Sequence, residues 1–235
     1  IRTPMTLIIN PLEKLLADKK DNELHKTYLM IYRNAQRILR LINQLMDIRK
    51  LDKGQMFMKF RETDMVGFID DLMQTFEYMA RKKNIRFTFE HEMPQLKVWI
   101  DLDKVLMNIF SNAFKYTPEG GEVQVRLSTG RDITRRDALR EYFEIVITDS
   151  GIGIDRDKIE RIFERFYQID NDVTKSNFGT GIGLHLSHLL VQLHHGEIFA
   201  QNREDTSGSR FILRIPLGSA HLRTDELEAV DEETV

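Results

Sequence analysis

The sequence predicts an α+β protein: an N-terminal two-helix hairpin, then an α/β sandwich with helices on one face of a mixed sheet. Two observations carry this. The first 52 residues contain no glycine and repeat their apolar residues at helical spacing, until Lys53-Gly54 breaks the run. Beyond the break, short alternating apolar segments take turns with longer helix-period segments as far as Pro216.

In the first segment Met5, Leu7, Ile8, Leu12, Leu15 and Leu16 give a short apolar face, and Asp18-Lys19-Lys20-Asp21-Asn22 is a polar turn. Tyr28, Ile31, Ala35, Ile38, Ile42 and Leu45 follow at steps of 3, 4, 3, 4 and 3, a heptad seam with Arg33, Arg37 and Arg40 off it. Two helices bury little alone. The economical partner for the seam is a second copy, so a homodimer through the N-terminal helices would close a four-helix bundle. The alternative is that the seam packs on the rest of the chain. The expected division is 1–52 for the hairpin, 53–218 for the sandwich and 219–235 for an acidic tail or linker.

Met56 to Phe60 reads as a strand, and Asp64 can cap a helix to about Lys82. Ile85 to Glu90 and Lys97 to Ile100 alternate as strands. Asp101 can cap the next helix, through Tyr116, and Thr117-Pro118-Glu119-Gly120-Gly121 is a turn cluster. Strands at Glu122–Ser128 and Tyr142–Thr148 flank a charged excursion, Arg131–Arg140, whose charges keep it solvated. A helix is expected over Asp157–Phe163, and Gln168–Phe178 is polar with no period. A further helix runs from about Ile182 to His194, and Glu197–Gln201 and Arg210–Pro216 close as strands. The acidic stretch after Gly218 reads as disordered.

Composition narrows the function classes. A length of 235 residues holds one large domain or two modest ones. The net charge of −3 provides no field toward nucleic acid or an anionic membrane, so direct binding of nucleic acid is not expected. The absence of cysteine excludes disulfides, thiolate metal sites and a Cys nucleophile. No apolar run approaches the roughly 20 residues that span a bilayer, so no membrane contact by this chain is expected.

Three motifs carry chemistry. Asn108, Asn112 and Lys115 stand at i, i+4 and i+7, on one helical face. Two amides and an ammonium suit a phosphate chain with a hard cation, an amide oxygen taking one Mg²⁺ position. The same residues also make an ordinary solvated face. The second motif is Asp149-Ser150-Gly151-Ile152-Gly153-Ile154, directly after an apolar strand. Asp149 can accept a hydrogen bond from an exocyclic amine such as that of adenine, and Gly151 and Gly153 let backbone approach a flat ring; the bland reading is a tight turn. The third motif is Gly179-Thr180-Gly181-Ile182-Gly183-Leu184, opening a helix whose N-terminal amides attract phosphate. No strand precedes it, which fails the context for a dinucleotide fingerprint, and no P-loop pattern is present.

In this order the motifs resemble those of the catalytic ATP-binding domain of sensor histidine kinases, of the GHKL type shared with Hsp90-like ATPases. Asn108–Tyr116 resembles the N box, Asp149–Ile154 the G1 box, Phe163-Glu164-Arg165-Phe166 the F box and Gly179–Leu184 the G2 box. Gly208-Ser209 stands where a last glycine motif is expected, and residues 1–52 resemble the dimerisation and phosphotransfer hairpin. The resemblance covers about residues 1–217. It implies ATP and Mg²⁺ as cofactors, with Asn112 on the metal and Asn108 assisting near the phosphates. Lys115 and Tyr116 would contact phosphate and nucleotide, and Asp149 would read the adenine amine. Gly151, Gly153, Ile154, Gly179, Thr180, Gly181, Ile182, Gly183 and Leu184 would line the nucleotide. Gln168–Phe178 would form a lid anchored by Phe163 and Phe166. Many members carry Arg where Gln168 stands, which leaves Arg165 and Lys175 as candidates for the γ-phosphate.

Ile1-Arg2-Thr3-Pro4 resembles the end of the H box, usually His-Glu-Ile-Arg-Thr-Pro. The phosphoacceptor His would lie just before Ile1, so autophosphorylation of this chain as given is not expected. Thr3, one helical turn further on, either orients a water in a phosphatase reaction on phospho-aspartate or simply occupies a helix surface. His194-His195 are expected at the surface, with a metal pair as the lesser reading.

The family reading is an enzyme that phosphorylates a His from ATP, then an Asp on a response regulator receiver, as the cytoplasmic part of an inner-membrane bacterial sensor. A hydrolytic ATPase of the wider fold would carry Glu where Asn108 stands, and an amide takes no proton at neutral pH. The third reading is a dimeric scaffold holding nucleotide structurally. Ile215-Pro216-Leu217-Gly218 with His221-Leu222 resembles the junction in Bacteroides-type hybrid sensors, where a receiver follows in the same polypeptide.

Overall fold

The computed structural model describes residues 2–17, 22–169, 180–204 and 206–227. It divides into two compact units, Ile1–Met56 and Phe57–Val235.

The first unit is a hairpin of α1 (Arg2–Ala17) and α2 (Asn22–Asp52). Met5 and Ile9 of α1 pack on Ala35, flanked by Tyr32, Leu39 and Ile42 of α2. The Tyr32 hydroxyl donates to Glu13 Oε1 at 3.1 Å, pinning the register of the two helices. The heptad seam splits between two jobs. Ala35 and Ile42 face α1, whereas Leu24, Ile31, Ile38 and Leu45, seven residues apart, remain exposed. Ile8 and Leu15 on α1 are exposed at the same interval. The hairpin thus satisfies one apolar face and leaves a second stripe along its length.

The second unit is the sandwich. Its elements are β1 (Arg61–Asp64), α3 (Met65–Lys82), β2 (Arg86–His91), β3 (Lys97–Ile100), α4 (Asp103–Tyr116) and β4 (Glu122–Arg131). They continue with β5 (Glu141–Asp149), α5 (Gly183–Leu193), β6 (Glu197–Asn202) and β7 (Ser209–Pro216). The main sheet has the order β2-β4-β5-β7-β6, and β1 and β3 pair separately. Only β2 and β4 run parallel, so the sheet is mixed. Along β4 and β5 burial alternates, with Val123, Val125, Leu127, Phe143, Ile145 and Ile147 fully inside. That period-2 pattern puts one face under the helices and the other toward solvent. Phe76, Phe87, Phe110 and Phe114 form an aromatic cluster between α3, β2 and α4. Asp64 caps α3 as expected, accepting from the Val66 and Leu96 amides at 3.3 and 3.0 Å.

Five expectations are corrected. Met56–Phe60 alternates in burial but is not a ladder; among the described residues only Phe60 bridges, to Leu227, and no strand lies alongside the rest. The N-cap position of α4 falls on the buried Leu102, one residue after Asp101, whose amide donates to His194 Nε2 at 3.0 Å. The segment expected as a helix at Asp157–Phe163 forms two 3-10 turns, Arg156–Lys158 and Arg161–Phe163. Ile162 is its one buried side chain, too little apolar surface to hold a longer helix. Of the segment after Gly218, residues 219–227 are held against the sandwich, since the Phe60 amide donates to Glu226 O at 2.8 Å and Lys59 Nζ to Asp225 O at 3.3 Å; residues 228–235 lie outside the described residues. The charged excursion is more than solvated: Arg135 joins Asp137 to Glu197 on β6, at 2.7 and 2.8 Å.

Candidate nucleotide site

Helix α4 buries Val105, Leu106, Ile109, Phe110, Ala113 and Phe114. Asn108, Asn112, Lys115 and Tyr116 are left half-buried on its other side. Asn108 Nδ2 donates to Gly183 O and Ser187 Oγ, both at 3.3 Å, so the N box faces the start of α5. Lys115 Nζ donates to the Tyr116 hydroxyl at 3.0 Å and sits 4.6 Å from its ring centre. The C-terminal carbonyls of α4 are held by Lys83, whose ammonium reaches Phe114 O at 2.7 Å and Thr117 O at 3.0 Å.

Strand β5 delivers Asp149, only 3% exposed, to the edge of the helical layer. Its Oδ1 accepts from the Gly151 amide at 2.8 Å and the Ser209 amide at 3.4 Å, and its Oδ2 from the Ser209 hydroxyl. Burial pushes the Asp149 carboxyl above its ordinary range; the Ser209 and Gly151 hydrogen bonds and the nearby Arg203 charge oppose that push. Each carboxylate oxygen has two acceptor positions, so capacity remains for an outside donor. Two glycines make this crowding possible. A Cβ on Gly151 would lie 2.7 Å from Tyr116 O, and one on Gly208, at φ +134°, would lie 2.0 Å from Asp149 O.

In the third motif Gly179 lies outside the described residues. Thr180 Oγ1 accepts from the Ile182 amide at 3.3 Å, and the fully buried Ile182 anchors the turn. Helix α5 starts at Gly183 with no side-chain cap on its first amides. Leu184 follows, half-buried, in the first turn. The Phe166 amide donates to Gly181 O at 2.8 Å, which ties the F box to this turn, while the Phe166 ring is 56% exposed. Of the expected lid, residues 170–178, including Lys175, lie outside the described residues, and Gln168 and Arg165 are exposed. Thr3 falls in the first turn of α1, but its side chain is not among those described.

The structure thus brings the N box against the start of α5 and the end of α4 against the Asp149 turn. Sequence reading missed Asn202, Ser207 and Lys83, which act on backbone atoms far along the chain and carry no local signature. It also misplaced His194. That ring is 1% exposed, edge-on to Phe60 at 4.9 Å, with Nε2 accepting from the Asp101 amide at 3.0 Å and Nδ1 2.7 Å from Leu190 O. Burial lowers its pKa to about 4. Both nitrogens are used by backbone, which removes it as a metal ligand; His195 is exposed. Among the described residues no group of three His, Cys, Asp or Glu could hold a metal.

Residues 98–219 match the family described as Histidine kinase-, DNA gyrase B-, and HSP90-like ATPase, and residues 1–54 match the His Kinase A (phospho-acceptor) domain. The chain belongs to that ATPase family. Its pairing with a phospho-acceptor domain makes it the core of a sensor histidine kinase. Histidine kinase P4 of Formosa agariphila is 37% identical over 233 residues, covering 96% of this chain and 16% of that protein. The chain spans between 14% and 22% of the length of the first three curated relatives it matches. The fold matches full-length ShkA in complex with AMPPNP, with a TM-score of 0.74 and 23% identity over 94% of this chain and 45% of that one. The nucleotide-free catalytic domain of ThkA matches 68% of this chain and 97% of its own, with a TM-score of 0.56 and 29% identity.

Proposed function

We propose that this chain binds Mg·ATP and donates its γ-phosphoryl group to the imidazole of an H-box histidine, from which the group passes to an aspartate of a response regulator receiver. The observation that carries this is Asp149: a buried carboxylate with spare acceptor capacity, on the same side of the sandwich as the uncapped start of α5. Asp149 accepts the adenine amine. The amides of Gly183 and Leu184, with Lys115, receive the phosphates. Asn112 supplies one oxygen to Mg²⁺, whose other positions are phosphates and water, as this small cation prefers. Bound there, the metal neutralises charge that builds on the phosphates during transfer.

Asn108 opposes a hydrolytic role. Its amide cannot take a proton from water, and its Nδ2 is engaged with Gly183 and Ser187. The exposed stripe Leu24, Ile31, Ile38 and Leu45, with Ile8 and Leu15, supports a homodimer closing as a four-helix bundle. Such a dimer would pair the two hairpins along their length.

A chain extended by His-Glu ahead of Ile1 and incubated with γ-labelled ATP should acquire an acid-labile, base-stable label. Rapid release of free phosphate without that label would refute the kinase reading. Nucleotide binding with neither label nor release would establish the scaffold reading instead.

A further inference from the structure

The Asp149–Ile154 turn makes few backbone bonds of its own. Between the Ser150 amide, which donates to Glu122 O, and the Lys158 amide, no backbone–backbone bond reaches it among the described residues. What holds it comes from the end of the β6–β7 hairpin. Asn202 and Ser209 are cross-strand partners at the last position of that pairing. Partners directly opposite in a ladder present their side chains to the same face. Here both point at the turn. Ser209 grips its start through Asp149. Asn202 grips its end through both polar groups of Ile154, Oδ1 accepting from the amide at 2.7 Å and Nδ2 donating to the carbonyl at 2.5 Å. Between them, Ser207 Oγ donates to Gly151 O at 2.7 Å. The Arg203 amide closes the hairpin by donating to Gly208 O at 3.1 Å.

We infer that Asn202 is a positioning residue for base recognition: its paired hydrogen bonds to Ile154 fix the end of the turn relative to the Asp149 carboxylate at its start. The inference rests on the nucleotide reading above. The physical reason is local. Gly153, at φ +74°, leaves the turn flexible just before Ile154, and a Cβ there would lie 3.1 Å from Asn202 Oδ1. A side-chain amide carries an acceptor oxygen and a donor nitrogen side by side, so it can accept from the amide and donate to the carbonyl of the same residue, as a neighbouring strand would. Without it the end of the turn is free to move relative to Asp149, and a ring whose amine must reach that carboxylate is no longer distinguished from one presenting a carbonyl there. The phosphate end, built from α4 and α5, makes no use of this clamp.

The test compares the wild-type chain with Asn202→Asp, Asn202→Ala and Ser207→Ala, using Mg·ADP, Mg·GDP and Mg·tripolyphosphate as probes in calorimetric or NMR titrations. Asn202→Asp is isosteric but cannot donate to the Ile154 carbonyl. Both Asn202 variants should lose about tenfold or more in ADP affinity, with the ADP-to-GDP ratio falling in step and tripolyphosphate binding within about twofold of wild type. An ADP-to-GDP ratio unchanged in Asn202→Asp overturns the inference, since packing alone would then suffice. Equal loss for all three probes overturns it too, because the clamp would then serve the whole domain. Should the Asn202 variants fail to fold, Ser207→Ala decides: a reduced ratio supports the clamp and an unchanged ratio overturns it. Wild type that binds no ADP would defeat the nucleotide reading and this inference with it, whereas wild-type binding with unaltered variants defeats this inference alone.

Discussion

His194 makes the stability of the sandwich depend on pH in a way that one substitution can isolate. The ring is 1% exposed and its nitrogens meet the Asp101 amide and Leu190 carbonyl, an arrangement that suits only the neutral imidazole. Its pKa of about 4 compares with 6.5 for a free side chain. Because the folded value is the lower one, the unfolded chain binds the extra proton between them. Stability from this group is therefore complete above pH 6.5 and is lost as pH falls toward 4. At about 1.36 kcal/mol per unit the full loss is about 3 kcal/mol, of which about 2 kcal/mol is reached by pH 5. In His194→Gln the amide oxygen can still accept from Asp101, but nothing titrates. Urea unfolding followed by Trp99, the sole tryptophan and a β3 residue close to Asp101, reports on this domain. The stability difference between wild type and variant should shrink by about 2 kcal/mol from pH 7.5 to pH 5. A difference constant across that range would refute the claim that the ring is held neutral.

Three further outcomes follow from the site and the hairpin. Asp149→Asn should lower ADP affinity by about 100-fold through the lost charge-assisted bond, while leaving thermal stability equal or higher, because burial disfavours the ionised carboxyl; a melting temperature lower by more than about 5 °C would mark the carboxylate as structural. Asn112→Ala should cut the Mg²⁺-dependent gain in ADP affinity roughly tenfold and leave affinity in chelator unchanged; equal loss in both conditions would remove Asn112 from the metal. Ile38→Glu, on an exposed position of the α2 stripe, should convert a dimer into a monomer in sedimentation measurements, and an unaltered mass would place the dimer contact elsewhere.

Much of the local structure was legible because local physics decides it. The Asp64 cap, the alternation in β4 and β5, and the helical face of Asn108, Asn112 and Lys115 depend on neighbours within a few residues. So did the family, since the boxes keep their order and their internal spacing. The boundaries that failed depended on partners far away. Met56–Phe60 has the alternation of a strand, but a strand is completed only by another chain segment. The 156–163 segment has helical spacing but too little buried surface to sustain a helix.

By itself, the sequence determined the type and order of the main elements, the glycine-bearing turns, and the residue types able to meet a phosphate chain, a hard cation and an adenine amine. Only the tertiary structure decided which atoms support them: Asn202, Ser207 and Ser209 around the Asp149 turn, Lys83 beneath the end of α4, and His194 buried against Phe60 and Asp101. The reason is that these contacts join a side chain to the backbone of a segment 31 to 93 residues away. A backbone amide or carbonyl carries no residue identity, so no pattern of letters records which side chain will reach it.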